Sequence, residues 1–375
     1  MIVRVVLVTV GILLIAASLN DVFQSVIVPR AVGRRLRPSF YQWRALWSIW
    51  PALAHRMHPN NETVREDFLA VFAPLSLVLQ LMLWSLMMLL GYGIIFYALR
   101  DQMHPALRSF FDAFYFAGTS FFTIGFGDFV GNTGLTRLAS LAAGASGFGV
   151  ISTTTAYLFA LFGAFQAREQ FVVTVGARAG APPSGAGLLA IAAHSNIIKD
   201  LPNLMRSAES WCATLMETHL AYPALAFFRS SHDYESWVGT LGTLLDTAVL
   251  LITTVECDVG EARILYNIGR HAVHDLTKYF HLEGGDHDPG VTRDQFDRTC
   301  DRLERAGLTL HDRDRAWERF SALRSTYATH LNALAAFFDV PSLQWVDVQS
   351  LVGSEHVRRQ IPPEVLAKVD GDQKP

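Results

Sequence analysis

Two long stretches without a charged residue constrain the fold of this chain more than any other feature. Residues 68–99 form an uncharged run of 32, and residues 138–167 form another of 30. About 20 apolar residues are enough for a helix to cross the hydrocarbon core of a bilayer. Both stretches are therefore predicted to span a membrane, with length left for tilt or for extension beyond the bilayer.

Charge divides the chain into two unlike halves. Charged residues make up 17% of the chain, whereas a soluble domain has about a quarter. Residues 1–167 hold 11 of the 31 basic and 7 of the 34 acidic residues, which leaves 20 and 27 for residues 168–375. The first half is thus membrane-like and slightly basic, and the second has the charge density of a soluble domain. The net charge of −3 gives no reason to expect a nucleic-acid partner.

Cysteine usage points to a reducing compartment. The three cysteines lie far apart in the second half, at Cys212, Cys257 and Cys300. An odd and scattered set is unlike a disulfide framework and unlike a zinc site.

The N-terminus holds a third apolar stretch, residues 3–28. Arg4 followed by a short apolar run is also typical of a cleavable signal peptide. The next segment, residues 30–65, carries seven arginines against one acid, Glu62. Such a basic loop belongs in the cytoplasm, and cleavage of a signal peptide would place it outside. The charges therefore favour a retained first span with the N-terminus outside the cell.

Two features near the inner end of this span bear on packing. Asp21 marks a functional or packing site, or else a side chain that reaches out to the membrane interface. Spacings of three and four place a set of aromatic residues on one helical face: Phe40, Trp43, Trp47 and Trp50. Such a helix is expected to lie on the cytoplasmic membrane surface. The alternative is a helix packed on the soluble domain.

The segment between the two long spans contains the most informative motif. Residues 109–122 are predicted to form an aromatic helix, but about 14 residues are too few to cross a bilayer. They are followed at once by Thr123-Ile124-Gly125-Phe126-Gly127-Asp128. The chain thus has a long apolar helix, a short helix, a glycine-containing motif and a second long apolar helix, in that order.

This arrangement resembles the pore-loop potassium channels of the prokaryotic type, whose filter reads Thr-Val/Ile-Gly-Tyr/Phe-Gly-Asp/Asn. The resemblance implies a homotetramer that conducts K⁺ passively, with no catalysis and no cofactor. It also implies which groups bind K⁺: the backbone oxygens of Thr123, Ile124, Gly125 and Phe126, together with the Thr123 hydroxyl. Gly127 completes the filter, and Asp128 is expected at the outer mouth. Successive carbonyls can face one axis only where some residues have positive φ, which glycine adopts readily.

Departures from the family pattern affect the ends of the filter. Phe122 stands where many members have a second threonine, so the innermost ion site is expected to be less polar. Phe126 replaces the commoner tyrosine and has no hydroxyl to reach the pore helix. In the family a glycine near the middle of the inner helix is a gating hinge. Gly147 and Gly149 are the candidates here, and close helix packing is the alternative role.

The second half is predicted to be a helical domain in the cytoplasm. Helical patterns cover residues 185–197, 201–228, 232–255, 258–282, 291–306 and 311–338, after a short strand at residues 171–175. The apolar run at residues 237–255 could pass for a fourth span. Its central Asp246 favours a helix in the core of a bundle.

Three motifs in this half resemble ligand sites, and none is assigned as one. Residues 185–190 fit a dinucleotide fingerprint without a strand directly before it. His271, His274 and His281, with Asp275, could bind a metal ion, but such residues are more often on the surface. Residues 286–290 resemble a calcium loop whose glycine comes one position early. An unidentified cytoplasmic ligand is left open as the gating partner.

The predicted fold is an all-α membrane protein with three transmembrane helices, a re-entrant pore helix and filter, and a cytoplasmic helical bundle. The chain is predicted to divide into a first span (residues 1–30), a basic loop with the amphipathic helix (residues 31–66) and a pore domain (residues 67–168). A cytoplasmic domain (residues 169–340) and a polar tail (residues 341–375) are expected to follow. The expected location is the cell (inner) membrane, with lipid, K⁺ and further copies of the chain as partners. A weakly selective cation channel and a ligand sensor with a vestigial pore are the alternatives.

Overall fold

The computed structural model describes residues 1–28, 37–180, 183–231, 235–282 and 290–340. Helices dominate these residues, and the all-α prediction is confirmed. Within the described ranges, three helices are long and apolar enough to cross a membrane: Ile2–Ile27, Glu62–Ala98 and Gly134–Ala179.

The chain divides into two compact units. The first consists of Met1–Gln166 and Thr218–Arg229, and the second of Ala167–Glu217 and Ser230–Pro375. The boundary near residue 167 agrees with the change in charge density. The return of Thr218–Arg229 to the first unit differs from the predicted domain division, which placed these residues in the cytoplasmic domain.

The first unit contains the membrane-like elements. Its helices are α1 (Ile2–Val22), α2 (Pro38–Met57), α3 (Glu62–Ala70), α4 (Phe72–Ala98), α5 (Phe110–Phe121) and the larger part of α6 (Gly134–Ala179). A π-helical turn, Phe23–Ile27, prolongs α1. The only strands named among the described residues, β1 (Met103–His104) and β2 (Val130–Gly131), pair antiparallel in this unit.

Helix α6 is longer than the predicted inner helix and replaces the strand expected at residues 171–175. That strand prediction is wrong, because α6 continues through this segment. Val172 and Val175 lie three apart on one helical face and are fully buried. The helix ends only where Gly180 adopts a φ of +86°, a conformation that suits glycine after a helix.

Helices α1 and α4 pack closely in opposite directions. A Cβ added at Gly11 would lie 2.6 Å from the Gly91 carbonyl oxygen, and one at Gly91 would lie 2.9 Å from the Gly11 carbonyl oxygen. Small residues allow such close helix packing in membranes. Arg4 pairs with Asp101 near the other end of this contact. The first span is therefore an integral part of the first unit.

Asp21 is a packing centre rather than a side chain that reaches the interface. Its carboxylate is fully buried and accepts hydrogen bonds from Trp84 Nε1 at 3.0 Å, from the Ser39 backbone N–H at 2.8 Å and from the Ser39 hydroxyl at 2.7 Å. Arg37 Nε lies 3.6 Å away. Since the first backbone N–H groups of a helix lack partners within the helix, Asp21 anchors the start of α2 to α1 and α4.

The aromatic face of α2 also packs on protein, and a position of this helix on the membrane surface stays a prediction. Trp43 Nε1 donates to Gln80 Oε1 at 2.7 Å, and Trp50 Nε1 donates to the Phe68 carbonyl at 3.2 Å. The Trp47 ring lies 4.7 Å from Phe72. An indole N–H that leaves water needs an acceptor, and a side-chain oxygen of α4 and a backbone oxygen of α3 supply it.

The second unit is a helical bundle. It contains α7 (Gly185–His194), most of α8 (Leu201–Ala221), α9 (Trp237–Thr253), α10 (Gly260–Phe280), α11 (Arg293–Arg305), α12 (Arg313–Arg324) and α13 (Ala328–Phe337). Residues 311–338, predicted as one helix, form two. Every residue of α9 is buried within the protein, as expected for a core helix rather than a fourth span.

A buried ion pair explains the charge at the centre of α9. Arg324 Nε donates to Asp246 Oδ1 at 2.9 Å, and its Nη2 donates to Oδ2 at 3.2 Å. The Tyr327 hydroxyl also donates to Asp246. Burial raises the pKa of Tyr327 well above its usual range, so this hydroxyl keeps its proton and remains a donor. Asp246 therefore joins α9 to α12 and to the turn before α13.

The three motifs weighed as ligand sites stay unassigned. Ser184 caps α7, and its Oγ accepts from the Gly187 N–H at 3.1 Å. His271 pairs with Asp275 at 3.3 Å, while His274 Nε2 lies 3.0 Å from the Thr326 carbonyl. In the described part of the chain, no group of three or more His, Cys, Asp and Glu residues could hold a metal ion. Most of the calcium-like loop, and all of the tail, lie outside the described residues.

Asp246→Asn should destabilise the bundle by about 3–5 kcal/mol, because it leaves the Arg324 guanidinium buried without a charged partner. Unfolding can be followed in urea by the reactivity of Cys212, which is buried and whose pKa is raised by burial. The matched control is Asp314→Asn, which removes a pair with Arg293 in which Asp314 is 83% exposed. That change should cost less than about 1 kcal/mol. Equal urea midpoints for the two variants would refute the structural role of Asp246.

Candidate functional site

The sign of the backbone φ angle alternates through the motif that follows α5. Thr123, Gly125 and Gly127 have φ values of +56°, +61° and +80°, whereas Ile124 and Phe126 are not among the residues with positive φ. Such alternation turns successive carbonyl oxygens toward one side of the chain. The two glycines adopt the conformation expected from the sequence. Thr123 was not anticipated, since positive φ is rare for a β-branched residue.

The C-terminal end of α5 holds the first part of the motif. The Ile124 and Gly125 N–H groups both donate to the Thr119 carbonyl, at 2.8 and 3.2 Å, and the Thr123 N–H donates to Ser120 at 3.1 Å. These carbonyls belong to the last turn of α5 and have no partner within the helix. Helix α5 thereby fixes the strained start of the motif. Its C-terminal end also carries a partial negative charge that favours a cation.

The far side of the motif is fixed by the pairing of β1 with β2. The Asn132 N–H donates to the Gln102 carbonyl at 3.0 Å, and the Thr133 hydroxyl donates to Gln102 Oε1 at 2.8 Å. Gln102 directly precedes β1, and Asn132 directly follows β2. The motif is therefore anchored at both ends, first by α5 and then by the segment that follows α4.

Tyr115 on α5 supports the motif from behind. Its ring stacks on Phe126 at 6.4 Å with an interplanar angle of 3°, and it meets Phe129 edge-on at 6.3 Å. The Tyr115 hydroxyl interacts with the Asp128 carboxylate. The sequence indicated only an aromatic helix at residues 109–122, and the contact of Tyr115 with Asp128 was not predicted from it. A polar atom on an otherwise apolar helix is the signal that could have revealed it.

The opposite face of α5 packs into the first unit. Phe116 lies 4.7 Å from Phe96 on α4, and Phe121 is fully buried. A Cβ at Gly93 would come within 3.3 Å of the Phe114 backbone, so α4 and α5 touch closely there. By contrast, Ile124 is 54% exposed and Phe126 is 68% exposed. The motif thus forms an open edge of the unit, backed by a packed helix.

The two hinge candidates differ in their surroundings. A Cβ at Gly147 would lie 1.8 Å from the Phe121 carbonyl oxygen, whereas one at Gly149 would meet nothing within 4 Å. Tyr92 Oη and Ser146 Oγ, 2.7 Å apart, join α4 to α6 beside this contact; the sequence analysis did not identify that pair. Gly147 therefore has a packing role, and the hinge role stays a prediction for both residues.

Phe122 occupies the position at which many family members carry a second threonine. Its ring lies edge-on to Phe121 at 5.2 Å, and the side chain is 43% exposed. No hydroxyl is available at this position to bind a cation or water at the inner end of the motif. The structure thus places an apolar ring where the sequence analysis expected a less polar inner site.

Comparison with known proteins bears on this part of the chain. Residues 84–163 match the family model described as "Ion channel". This range includes the end of α4, all of α5, the motif and much of α6. The match confirms the predicted resemblance to the pore-loop channels over this range.

One curated relative is similar over a longer range. It is the Bacillus subtilis protein named "Uncharacterized membrane protein YdjJ", which is 27% identical over 180 residues. The alignment covers 47% of this chain and 52% of the relative, so the chain spans about half the length of the curated relative it matches. No solved structure matches the chain.

Gly147→Ala and Gly149→Ala should have opposite effects on the stability of the first unit. Overpacking against the Phe121 carbonyl should cost about 1–3 kcal/mol. Alanine at the open position 149 should gain up to about 1 kcal/mol, since glycine is a poor helix former. The unfolding temperature in detergent measures both effects. A Gly147→Ala protein as stable as Gly149→Ala would refute the close contact between α5 and α6.

Proposed function

We propose that this pore-loop channel is a homotetramer that conducts K⁺ selectively and passively through residues 123–127. The observation that carries the proposal is the alternating backbone of Thr123, Gly125 and Gly127 in a Thr-Ile-Gly-Phe-Gly-Asp motif. Selective conduction requires fixed oxygens that replace the hydration shell of the ion. Successive carbonyls turned to one side, with the Thr123 hydroxyl at the inner end, are such a set of ligands.

The anchoring of the motif supports selectivity. Hydrogen bonds from Ile124 and Gly125 to Thr119, and the stack of Phe126 on Tyr115, hold the backbone from behind. A held backbone keeps its oxygens at a defined spacing and does not collapse around a smaller ion. Asp128, held beside Tyr115, adds negative charge near the outer end, where it raises the local concentration of cations.

The exposed edge of the motif supports assembly from several copies. Non-helical backbone at membrane depth is stable only where it is covered by protein or lines a water-filled path. One chain supplies one motif, and the exposed Ile124 and Phe126 show that it does not cover that motif itself. Four copies around one axis would cover these side chains and place four sets of oxygens along a single path. The proposal therefore includes a homotetramer.

The charges support a location in the cell (inner) membrane with the N-terminus outside. The seven arginines of residues 30–65 favour the cytoplasmic side. The second span then runs outward and α6 runs inward, so the motif enters from the outside. Arg4 and Asp101, which form an ion pair, would lie at the outer surface. The second unit would lie in the cytoplasm, where it would respond to a ligand that is not identified.

A weakly selective cation channel is the second candidate, and Phe122 is the observation that favours it. Its exposed ring removes a hydroxyl from the inner end of the motif, and fewer polar groups there weaken the binding of a partly dehydrated ion. The two candidates share the architecture and differ in the ratio of K⁺ to Na⁺ flux.

Purified protein in liposomes should carry K⁺ and exclude Na⁺, and Gly125→Ala should reduce K⁺ flux to background. At Gly125 a φ of +61° strains any side chain, while no atom lies within 4 Å of an added Cβ. The filter should therefore distort while the protein still assembles. The matched control is Gly163→Ala, which also meets nothing within 4 Å but lies within α6. Equal K⁺ and Na⁺ flux would favour the weakly selective channel, and unchanged flux in Gly125→Ala would refute the filter assignment.

A further inference from the structure

A short segment of the second half of the chain belongs to the first unit. After α8 ends at Ala221, a 3-10 turn covers Pro223–Phe227. Of the described residues that follow Gln166, only Thr218–Arg229 group with the first unit, although the chain on both sides belongs to the second. Residues 222–229 are called the strap below. Leu225 is fully buried and Ala226 is nearly so, so the strap is packed rather than loosely draped.

One side of the strap packs against α2, α3 and the start of α4. The Phe227 ring lies among three aromatic rings, at 5.4 Å from Trp43, 5.1 Å from Trp47 and 5.5 Å from Phe72. Arg229 pairs with Glu66 of α3 at 3.3 Å, and the Arg229 side chain is only 12% exposed. Aromatic clusters of this kind are specific in geometry as well as apolar. The strap is therefore held by α2, α3 and α4 together.

The other side of the strap is fixed to the inner helix. The Phe228 ring lies 6.0 Å from Phe162 and 5.5 Å from Phe165, both on α6. Tyr222 meets Tyr157 edge-on at 5.7 Å, one to two turns earlier on the same helix. Phe228 is 6% exposed. Contact with α6 therefore extends from Tyr157 to Phe165, well beyond the motif and beyond Gly149.

Neighbouring residues of the strap thus bind different helices. Phe227 contacts α2 and the start of α4, and Phe228 contacts α6. The strap therefore links α6 to α2 and α4. A link in series transmits force only while both of its attachments hold. Since the chain enters and leaves the strap from the second unit, any change there reaches the strap directly through the backbone.

We propose that the strap couples the cytoplasmic half to the position of the inner helix, in addition to the direct continuation of α6 into that half. This rests on the proposed function, in which α6 lines the conducting path. The helix can change position only together with the strap, or after it has released the Phe228 contacts. Regulation would therefore act on the packing of residues 222–229 and leave the filter unchanged.

Liposome flux of Phe227→Ala, Phe228→Ala and the double variant tests the series link. Each single change removes the ring contacts of Phe227 or Phe228 and so weakens one attachment, and both should shift K⁺ flux in the same direction by about threefold or more, the size of coupling seen between packed neighbours. The double variant should shift flux no further than either single variant, because a broken link cannot be broken twice. The ratio of K⁺ to Na⁺ flux should stay at its original value.

The matched control is Phe68→Ala. Phe68 stacks on Trp50 at 4.8 Å, so this change removes an aromatic pair between α2 and α3 without touching the strap. Flux should then stay at the level of the unmodified protein. Double-variant flux equal to the product of the single effects, opposite directions in the two single variants, or no effect in either would overturn the proposal.

Hydrogen exchange separates failure of the strap from failure of the proposed function. In lipid, Phe227→Ala should speed amide exchange at residues 157–166 of α6, the part of the helix that meets Tyr222 and Phe228. This readout requires no conduction, so a protein without K⁺ flux would refute the channel and still decide the coupling. Unchanged exchange would overturn the strap. If the alanine variants fail to fold, Arg229→Glu and Glu66→Arg serve instead: each alone should speed exchange, and the double reversal should restore it.

Discussion

Backbone polar groups at membrane depth must find partners, and the first unit meets this constraint at residues 123–127 with hydrogen bonds from Thr123, Ile124 and Gly125 to the last turn of α5. Residues 123–127 are neither helix nor strand, and their side chains are exposed on the single chain. Such backbone persists in a bilayer only where protein or water covers it. Helix α5 and the β1–β2 pair hold the segment at its two ends, and in the proposed filter its carbonyls are the ligands of a dehydrated cation.

Close packing behind residues 123–127 makes this arrangement rigid. Gly147 lets α6 reach the Phe121 carbonyl, and Gly93 lets α4 reach the Phe114 backbone. Tyr115 fills the space behind Phe126 and also meets Asp128. Each contact fixes residues 123–127 from a different side, so strain at Thr123 is held by neighbours that cannot easily move. Around this core, Asp21 fastens α1 and α2 to α4 with buried hydrogen bonds rather than with exposed charge pairs.

The proposed role of the strap extends the same logic from residues 123–127 to the second unit. A pore that responds to a cytoplasmic domain needs a connection that is firm enough to transmit movement and local enough to leave the filter intact. The aromatic contacts of the adjacent residues Phe227 and Phe228 provide the firm connection. These contacts do not involve residues 123–127 in the ring pairs given above, so a change in them acts away from the motif. The buried Asp246–Arg324 pair plays a comparable role inside the second unit, where it holds α9 and α12 in one arrangement.

The sequence by itself determined the three spans, the short helix and the filter motif, because length without charge and glycine at fixed spacing have few physical alternatives. It also indicated that Asp246 would keep residues 237–255 in a bundle core. Only the tertiary structure decided which residues pack against each other. It showed that Asp21 and the tryptophans of α2 pack on α4, that α6 continues through a segment rich in β-branched residues, and that residues 222–229 return to the first unit. Those outcomes depend on which distant partner satisfies a polar group or covers a ring, and local periodicity carries no record of that partner.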